Sequence, residues 1–453
     1  MNADSLIGHI LELIDLTGGN TSPADHVIST FLRQRHYLGS RDRRFVSEAL
    51  FGIIRNRRLI EALLEEYIRA SPAASSGPGA AMLDAPRLRT MSLYTAYAAL
   101  SSDSQLSFSL PTDSLWKSFF PETDLNTYAA WIAKNKGLEF LAKETDLVRL
   151  AVQHSFQDWM VMEWHDQFGS ETERLLRSLN APARVTLRVN LSKSSRDNCR
   201  ARLEKEGIPT ETAACAPAGL VAAKRFNAQA SAAFKDGWFE LQDEGSQLLS
   251  IVADPNPGIV VLDACAGAGG KSLHLADLMK GEGKIYASDP DKSRLQELDV
   301  RARRAGVSII EAVTAKRPLP VPFAADLVFI DAPCTGVGTI RRNPDIKWRV
   351  TEETAERYAG IQLGLLESNH GFVKEGGSLV YATCSLLRRE NEEVVASFLK
   401  THPEFQIVKP DASGMRPSMI TAEGFVKILP FDADTDGFFA ARLARSGDRG
   451  ISP

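Results

Sequence analysis

The sequence predicts a multidomain protein with an N-terminal all-α region, a small α+β region and a C-terminal α/β region built on a Rossmann-like, mostly parallel sheet. Three observations carry this reading. Apolar residues recur at helical spacing up to Ile68, as in Phe45, Ala49, Leu50, Ile53 and Ile54. After Asn180 the texture changes, and Arg184–Asn190 (RVTLRVN) alternates as a strand does. From Ile259 onward, short apolar runs end on aspartates and are separated by helical stretches, the order of a parallel sheet covered by helices.

In chain order, several helices are predicted between Ser5 and Ile68. The stretch Ser71–Ala80 (SPAASSGPGA) is rich in small residues and breakers and reads as a loop. A second loop is expected over Ser101–Pro121, with helices over Asp124–Leu141 and Leu147–Leu179, where Trp159, Phe168, Leu175, Leu176 and Leu179 supply packing. Strand Arg184–Asn190, helix Arg196–Gly207 and the extended pieces Thr210–Thr212 and Gly237–Gln242 make the middle unit. Strands follow at Ile259–Asp263, Lys284–Asp289, Ala325–Asp331 and Gly377–Cys384, with helices at Lys271–Met279 and Glu390–Lys400. The expected domains are residues 1–144, 145–240 and 241–453.

The 453 residues exceed what one hydrophobic core organises. A 44% apolar and 24% charged composition is that of a soluble globular chain. No apolar run is long enough to cross a bilayer, and the opening MNADSLIGHI lacks a basic stretch followed by an apolar one, so a cytoplasmic location is expected. The five cysteines (Cys199, Cys215, Cys265, Cys334, Cys384) form no C-x-x-C pair, and the eight histidines form no HExxH or comparable pattern. Neither a disulfide framework nor a metal is expected. A net charge of -4 gives no global nucleic-acid signature, but Phe31–Tyr67 concentrates Arg33, Arg35, Arg41, Arg43, Arg44, Arg55, Arg57 and Arg58. That interval reads equally as an RNA-contacting surface or a solvated helix face.

The chemistry concentrates in the last region. Asp263–Lys271 (DACAGAGGK) is a strand end followed by a glycine-rich turn, where backbone amides can approach a ligand. Its spacing fits neither the Walker phosphate loop nor a G-x-G-x-x-G fingerprint. Asp289, at the end of the next strand, stands where a carboxylate receives a ribose, and Arg294 could wall that pocket. A nucleoside-containing cofactor follows, pyridine dinucleotides included. Cys334 and Cys384 both fall at strand ends and could face one crevice. A single such cysteine would read as a buried small side chain; two at strand ends favour catalysis.

Together, DACAGAGGK, Asp331–Trp348 (DAPCTGVGTIRRNPDIKW), Gly376–Ser385 (GGSLVYATCS), Glu390-Asn-Glu392, Asp436-Gly-Phe-Phe439 and Trp238–Ser246 (WFELQDEGS) resemble the RsmB/NOL1/NOP2/SUN family of RNA cytosine carbon-5 methyltransferases. The resemblance implies that Cys384 attacks carbon 6 of a cytosine and that S-adenosyl-L-methionine methylates carbon 5. It also implies that Asp331 stabilises the activated pyrimidine and contacts the cofactor, and that Cys334 assists product release. The cofactor loop would comprise Cys265, Ala266, Gly267, Ala268, Gly269, Gly270 and Lys271, with Asp289 and Arg294 at the nucleoside end.

Upstream, His26–Leu64 resembles a NusB-like RNA-binding domain, and His154–Trp159 with Ala183–Asn190 resembles the start of a small RNA-guiding domain. This architecture implies 16S ribosomal RNA or a small-subunit assembly intermediate as partner, and a monomer needing no protein partner and no membrane. Two other functions fit the same residues: a transfer-RNA cytosine carbon-5 methyltransferase and a non-catalytic RNA-binding assembly factor.

The chain departs from the family pattern in two places. Ala-Gly-Ala-Gly-Gly stands where Ala-Ala-Pro-Gly-Gly is commoner, and Val313 aligns with an aspartate that reads the adenine edge, a loss Glu311 could offset only in a different register. Lys347, Arg341 and Arg342 are expected as RNA-backbone contacts, and Trp348 as a stacking platform or a packed aromatic. Arg188 and Asn190 either guide RNA or cap a strand. His154 and His274 are expected as packing or surface residues.

Overall fold

The strand-end aspartates lie on one eight-stranded sheet, as the alternation of apolar runs and helices requires. In the computed structural model, which describes residues 2–18, 22–70, 86–101, 108–314, 324–411 and 415–446, the strands are β1 (Val185–Val189), β2 (Thr210–Thr212), β3 (Gly219–Ala222), β4 (Phe239–Leu241), β5 (Val260–Asp263), β6 (Lys284–Asp289), β7 (Ile310–Thr314), β8 (Ala325–Asp331), β9 (Val373–Thr383), β10 (Phe405–Ile407), β11 (Val426–Ile428) and β12 (Phe438–Arg445). The large sheet runs β10-β12-β9-β8-β5-β6-β7, with β11 paired to β12. Strands β7, β6, β5, β8 and β9 are mutually parallel, and β10, β11 and β12 add antiparallel pairs at one side. The order reverses between β5 and β8, the place where doubly wound sheets open a crevice.

The smaller sheet, β2-β3-β1-β4, is antiparallel throughout. The chain forms two compact units, Met1–Asn180 with Asn343–Arg349, and Ala181–Arg342 with Val350–Pro453; the second holds both sheets. No helix among the described residues is long and apolar enough to cross a membrane.

The described part of the first unit is built from helices alone. Ile7, Ile10, Leu13, Val46, Ala49, Leu50 and Ile53 recur at three- and four-residue spacings and are buried together with Trp116 and Tyr128. The expected loop over 101–121 contains a helix, Asp113–Phe119, capped by the Thr112 hydroxyl and anchored by buried Trp116. Flanking serines and prolines conceal it in the sequence. The loop expected over Ser71–Ala80 lies outside the described residues.

Several basic residues expected on an RNA surface instead hold this fold. Lys347 is fully buried, its Nζ donating to the carbonyls of Arg55 (3.0 Å), Ser155 (3.0 Å) and His154 (3.3 Å) and to Asn180 Oδ1 (2.5 Å). Trp348 packs against the first unit's core and donates Nε1–H to Ile54 O at 2.8 Å, so it is the packed aromatic of the two alternatives. In the basic interval, Arg58 binds Phe156 O (2.6 Å) and Asp158 (3.0 Å), Arg43 binds Leu38 O (2.8 Å), and Arg57 pairs with Glu61 (3.1 Å). In the second unit Arg341 is buried, donating to Thr435 O (2.8 Å) and Pro182 O (3.1 Å), while Arg342 bridges Asp436 (2.5 Å) and Asp243 (2.6 Å).

Arg188 and Asn190 are structural as well. Arg188 donates to Gln242 (2.7 Å), and Asn190 donates to the carbonyls of Gly237 (3.0 Å) and Ala305 (2.9 Å). His154 and His274 are packed inside, as expected.

Candidate active site

Strand β5 ends at Asp263, and the chain turns at once through Gly267 (φ 53°) and Gly269 (φ 81°) into the helix Gly270–Leu278. Both dihedrals are left-handed, and a side chain at Gly269 would overlap Leu298. The turn is tied down on each side. Gly267 N–H donates to Asp289 Oδ2 at 2.9 Å, and Arg301 donates to Ala268 O at 2.8 Å while also binding Glu240 of β4 at 3.1 Å. Asp289 thus braces the loop from the end of β6, its second oxygen accepting from Asp291 N–H at 2.8 Å.

Arg294, in contrast, is exposed, with Asp291 as its ion partner at 3.7 Å. The arginine that fixes the loop is Arg301, which carries no signal in the sequence. On β7, Thr314 pairs with Asp289 while Val313 is buried, and Glu311 pairs with Lys284 at 2.8 Å. Glu311 therefore does not replace the aspartate missing at Val313.

The two cysteines expected to share a crevice do so. Cys334 lies three residues beyond the end of β8 and Cys384 one residue beyond β9, and their sulfurs are 3.2 Å apart, both free thiols. The hydrogen bond to Cys384, with burial, holds the Cys334 thiol well above its ordinary range, so it remains protonated at neutral pH. Beside them Lys271 Nζ donates to Asp331 Oδ2 at 2.6 Å. Burial pulls the Lys271 ammonium down, but Asp331, Cys384 and Asp263 outweigh it and raise the group above its usual value. A fixed positive charge therefore faces the thiol pair.

A buried carboxylate joins the two cysteine-bearing loops. Glu390 accepts from Thr335 N–H (2.9 Å), Thr335 Oγ1 (2.5 Å), Gln362 Nε2 (3.0 Å) and the Ser385 hydroxyl. Thr335 follows Cys334 and Ser385 follows Cys384, so one side chain sets the spacing of both sulfurs. Glu390 belongs to a motif noted in the sequence, yet its role is not readable there; Gln362 has no sequence signal at all. The loops also meet through backbone, Gly338 N–H donating to Cys384 O (2.9 Å) and Gly437 N–H to Gly338 O (2.8 Å).

The two cysteines, the Lys271–Asp331 pair and the glycine-rich turn line one cavity of about 1140 Å³. Its wall includes Cys265 through Ala268, Gly270, Lys271, Asp289, Arg294, Asp331, Cys334 and Cys384, with Asp263 and Ser246 added. Gly269 shapes the turn without lining the cavity. Asp263 is a further site residue that sequence reasoning missed, and burial pushes its carboxyl up to about 7. One of its oxygens accepts from Ser272 Oγ at 2.6 Å, and the other has no partner of full hydrogen-bond geometry among the described residues.

Comparison with known proteins gives the family. A family profile described as 16S rRNA methyltransferase RsmB/F matches residues 250–444, and one described as a Methyltr_RsmF/B-like, ferredoxin-like domain matches residues 156–229. A protein of Synechocystis sp. named probable ribosomal RNA small subunit methyltransferase B is 32% identical over 427 residues, covering 91% of this chain and 93% of that protein. The chain belongs to the RsmB/F methyltransferase family. A Bacillus subtilis protein of the same name is 37% identical over 326 residues, covering 68% of this chain and 70% of its own length. The crystal structure of PH0851 superposes with a TM-score of 0.74 at 29% identity, covering 98% of this chain and 99% of that one.

RsmB/F methyltransferases use S-adenosyl-L-methionine. The residues of this family member fit it. Three strand-end carboxylates, Asp263, Asp289 and Asp331, line the cavity, and Asp263 is buried. That lining suits a ligand carrying an ammonium and a sulfonium charge. The two left-handed glycines let backbone approach it closely.

Proposed function

We propose that this methyltransferase transfers a methyl group from S-adenosyl-L-methionine to carbon 5 of a cytosine in 16S ribosomal RNA, through a covalent adduct with Cys384. The observation that carries the reading is the 3.2 Å thiol pair beside the Lys271–Asp331 ion pair in the loop-lined cavity. The names of the relatives, ribosomal RNA small subunit methyltransferase B, favour the ribosomal substrate.

Carbon 5 of cytosine is a poor nucleophile. Attack by the Cys384 thiolate on carbon 6 forms an S–C bond, breaks the 5,6 double bond and makes carbon 5 an enamine-like centre. Lys271, held cationic, favours the attacking thiolate, and a proton delivered through Asp331 to the ring nitrogen neutralises the charge that the attack places there. Bound S-adenosyl-L-methionine supplies the electrophilic methyl group. Water takes the carbon 5 proton, the electrons of that C–H bond re-form the double bond, and the S–C bond breaks with its electrons returning to Cys384. Cys334, kept protonated beside that sulfur, assists this release.

In the same reading, residues 1–144 act as a NusB-like RNA-binding domain, 145–240 guide the RNA, and 241–453 carry the reaction. Cys265–Lys271, Asp289, Arg294 and Asp331 contact the cofactor. The target base must leave its stack to reach the thiols, which favours a loop or a remodelled helix as substrate. The test is base-resolved mapping of 5-methylcytosine in ribosomal and transfer RNA from cells with and without the protein. Loss at a small-subunit ribosomal cytosine supports the proposal; loss confined to transfer RNA replaces its substrate, and an unchanged map overturns it.

A further inference from the structure

Away from the cavity, two histidines and a glutamate meet at the converging ends of two helices. Glu367 and His370 are three residues apart at the end of helix Glu352–Asn369, and His402 follows helix Glu392–Thr401. A ring nitrogen from each histidine and a carboxylate oxygen of Glu367 all lie within 4.8 Å of one another, and His402 Nε2 is 3.4 Å from Glu367 Oε2. Glutamate and histidine at i and i+3 present their ligand atoms on one helix face, a spacing used by metal sites in helical proteins.

Three further features fit a cation. Both histidines are the residues at which their helices end, where unpaired carbonyls concentrate negative partial charge. Both rings are set by hydrogen bonds from Nδ1 to backbone carbonyls, His370 to Glu367 O at 2.8 Å and His402 to Phe398 O at 3.2 Å. In the His370 ring the Nδ1–H that donates to a carbonyl leaves Nε2 its lone pair, the arrangement that orients metal-binding histidines, while His402 Nδ1 lies between Phe398 O and the Thr401 hydroxyl, 3.0 Å away. Both rings are also fixed by packing. His402 stacks on Phe398 with centroids 4.4 Å apart, and His370 meets Phe398 and Phe405 edge-on at 6.0 and 6.3 Å.

His402 Nε2 and Glu367 Oε2 approach to 3.4 Å with the Thr401 hydroxyl beside both residues, and with the Nε2 lone pair turned to the carboxylate a cation between them joins the two. Ligand atoms around a tetrahedral ion lie roughly 3.4 Å apart when metal–ligand bonds are about 2.0–2.1 Å. The His402–Glu367 pair already matches that separation, and the Glu367 side chain, 40% exposed, has room to turn toward the third ligand.

We propose that Glu367, His370 and His402 form a binding site for a divalent transition-metal ion of the zinc class. Two imidazoles and one carboxylate suit Zn²⁺, with water completing the shell. The site stands apart from the methyl-transfer chemistry. Its ion would clamp the ends of two helices, one of which carries Gln362, the residue bonded to Pro333 O and Glu390 in the thiol loops.

The test uses full-length protein carrying Cys265→Ser, Cys334→Ser and Cys384→Ser, so that the thiols of the cavity cannot bind metal, stripped with a chelator and titrated with Zn²⁺ by calorimetry and with Co²⁺ by absorption. One equivalent of Zn²⁺ should bind, the Co²⁺ spectrum should lack thiolate charge-transfer bands, and Glu367→Gln or His402→Gln should weaken binding on the order of tenfold or more. Absence of Zn²⁺ binding, or affinity unchanged in Glu367→Gln, would overturn the proposal. Glu367 is exposed, so its variant decides even if His402→Gln fails to fold.

Discussion

At Glu390 a buried carboxylate accepts four hydrogen bonds, three of them from the two loops that carry Cys334 and Cys384. Glu390→Gln replaces one acceptor oxygen by a donor facing donors. A shift of the sulfurs of about 1 Å would cost roughly 10²-fold in rate, expected in single-turnover methylation with little change in KM for RNA. Loss confined to KM would contradict the positioning role. Asp263 offers a second residue-level test. Burial pushes its carboxyl up to about 7, Ser272 pulls it down and the nearby Asp331 adds to the rise. A raised acid stabilises the fold fully below its unfolded value of about 3.9, and that stabilisation is lost as pH rises through about 7. A cationic ligand favours the ionised form, so cofactor affinity should climb with pH toward 7 and level off above it. Calorimetry on Asp263→Asn should show a flat profile; an unchanged climb would assign the effect elsewhere.

Among the elements, the turn pairing Gly338 with Gly437 is the tightest constraint on the site. A Cβ at Gly338 would overlap the Gly437 carbonyl oxygen and crowd Cys384 O. Gly338→Ala should therefore lower stability by about 1–3 kcal/mol, read as a reduced midpoint of unfolding, and slow adduct formation by displacing Cys384. Strands that end on chemistry are legible: Lys284–Asp289 and Ala325–Asp331 have the bounds their apolar runs predict, because buried parallel strands are apolar throughout. Helix Glu352–Asn369 is not legible. Its buried face mixes Ala355, Gln362, Leu366 and Asn369, so polar residues interrupt the apolar stripe that would mark it. The antiparallel strands β10 and β11 are three residues each, too short to show alternation.

For the whole molecule, the least legible feature is a motif that splits between units. DAPCTGVGTIRRNPDIKW reads as one catalytic phrase, yet Asn343–Arg349 belongs to the first compact unit, where Lys347 is enclosed by four oxygens. Lysine and arginine in sequence suggest surface; only long-range carbonyl partners reveal their burial. Lys347→Ala strands those acceptors and should destabilise the first unit by roughly 1–3 kcal/mol, measured as an earlier unfolding transition. An unfolding curve indistinguishable from the parent would remove Lys347 from this structural role. The two sulfurs, in contrast, meet as the sequence expects because each follows a legible strand, and the division of labour proposed for them is what the full chain acting on RNA tests. The most direct measurement is denaturing electrophoresis of the protein after incubation with small-subunit ribosomal RNA and S-adenosyl-L-methionine. A retained protein–RNA adduct is predicted with Cys334→Ala and none with Cys384→Ala; an adduct that survives Cys384→Ala, or turnover without Cys384, would contradict the covalent mechanism.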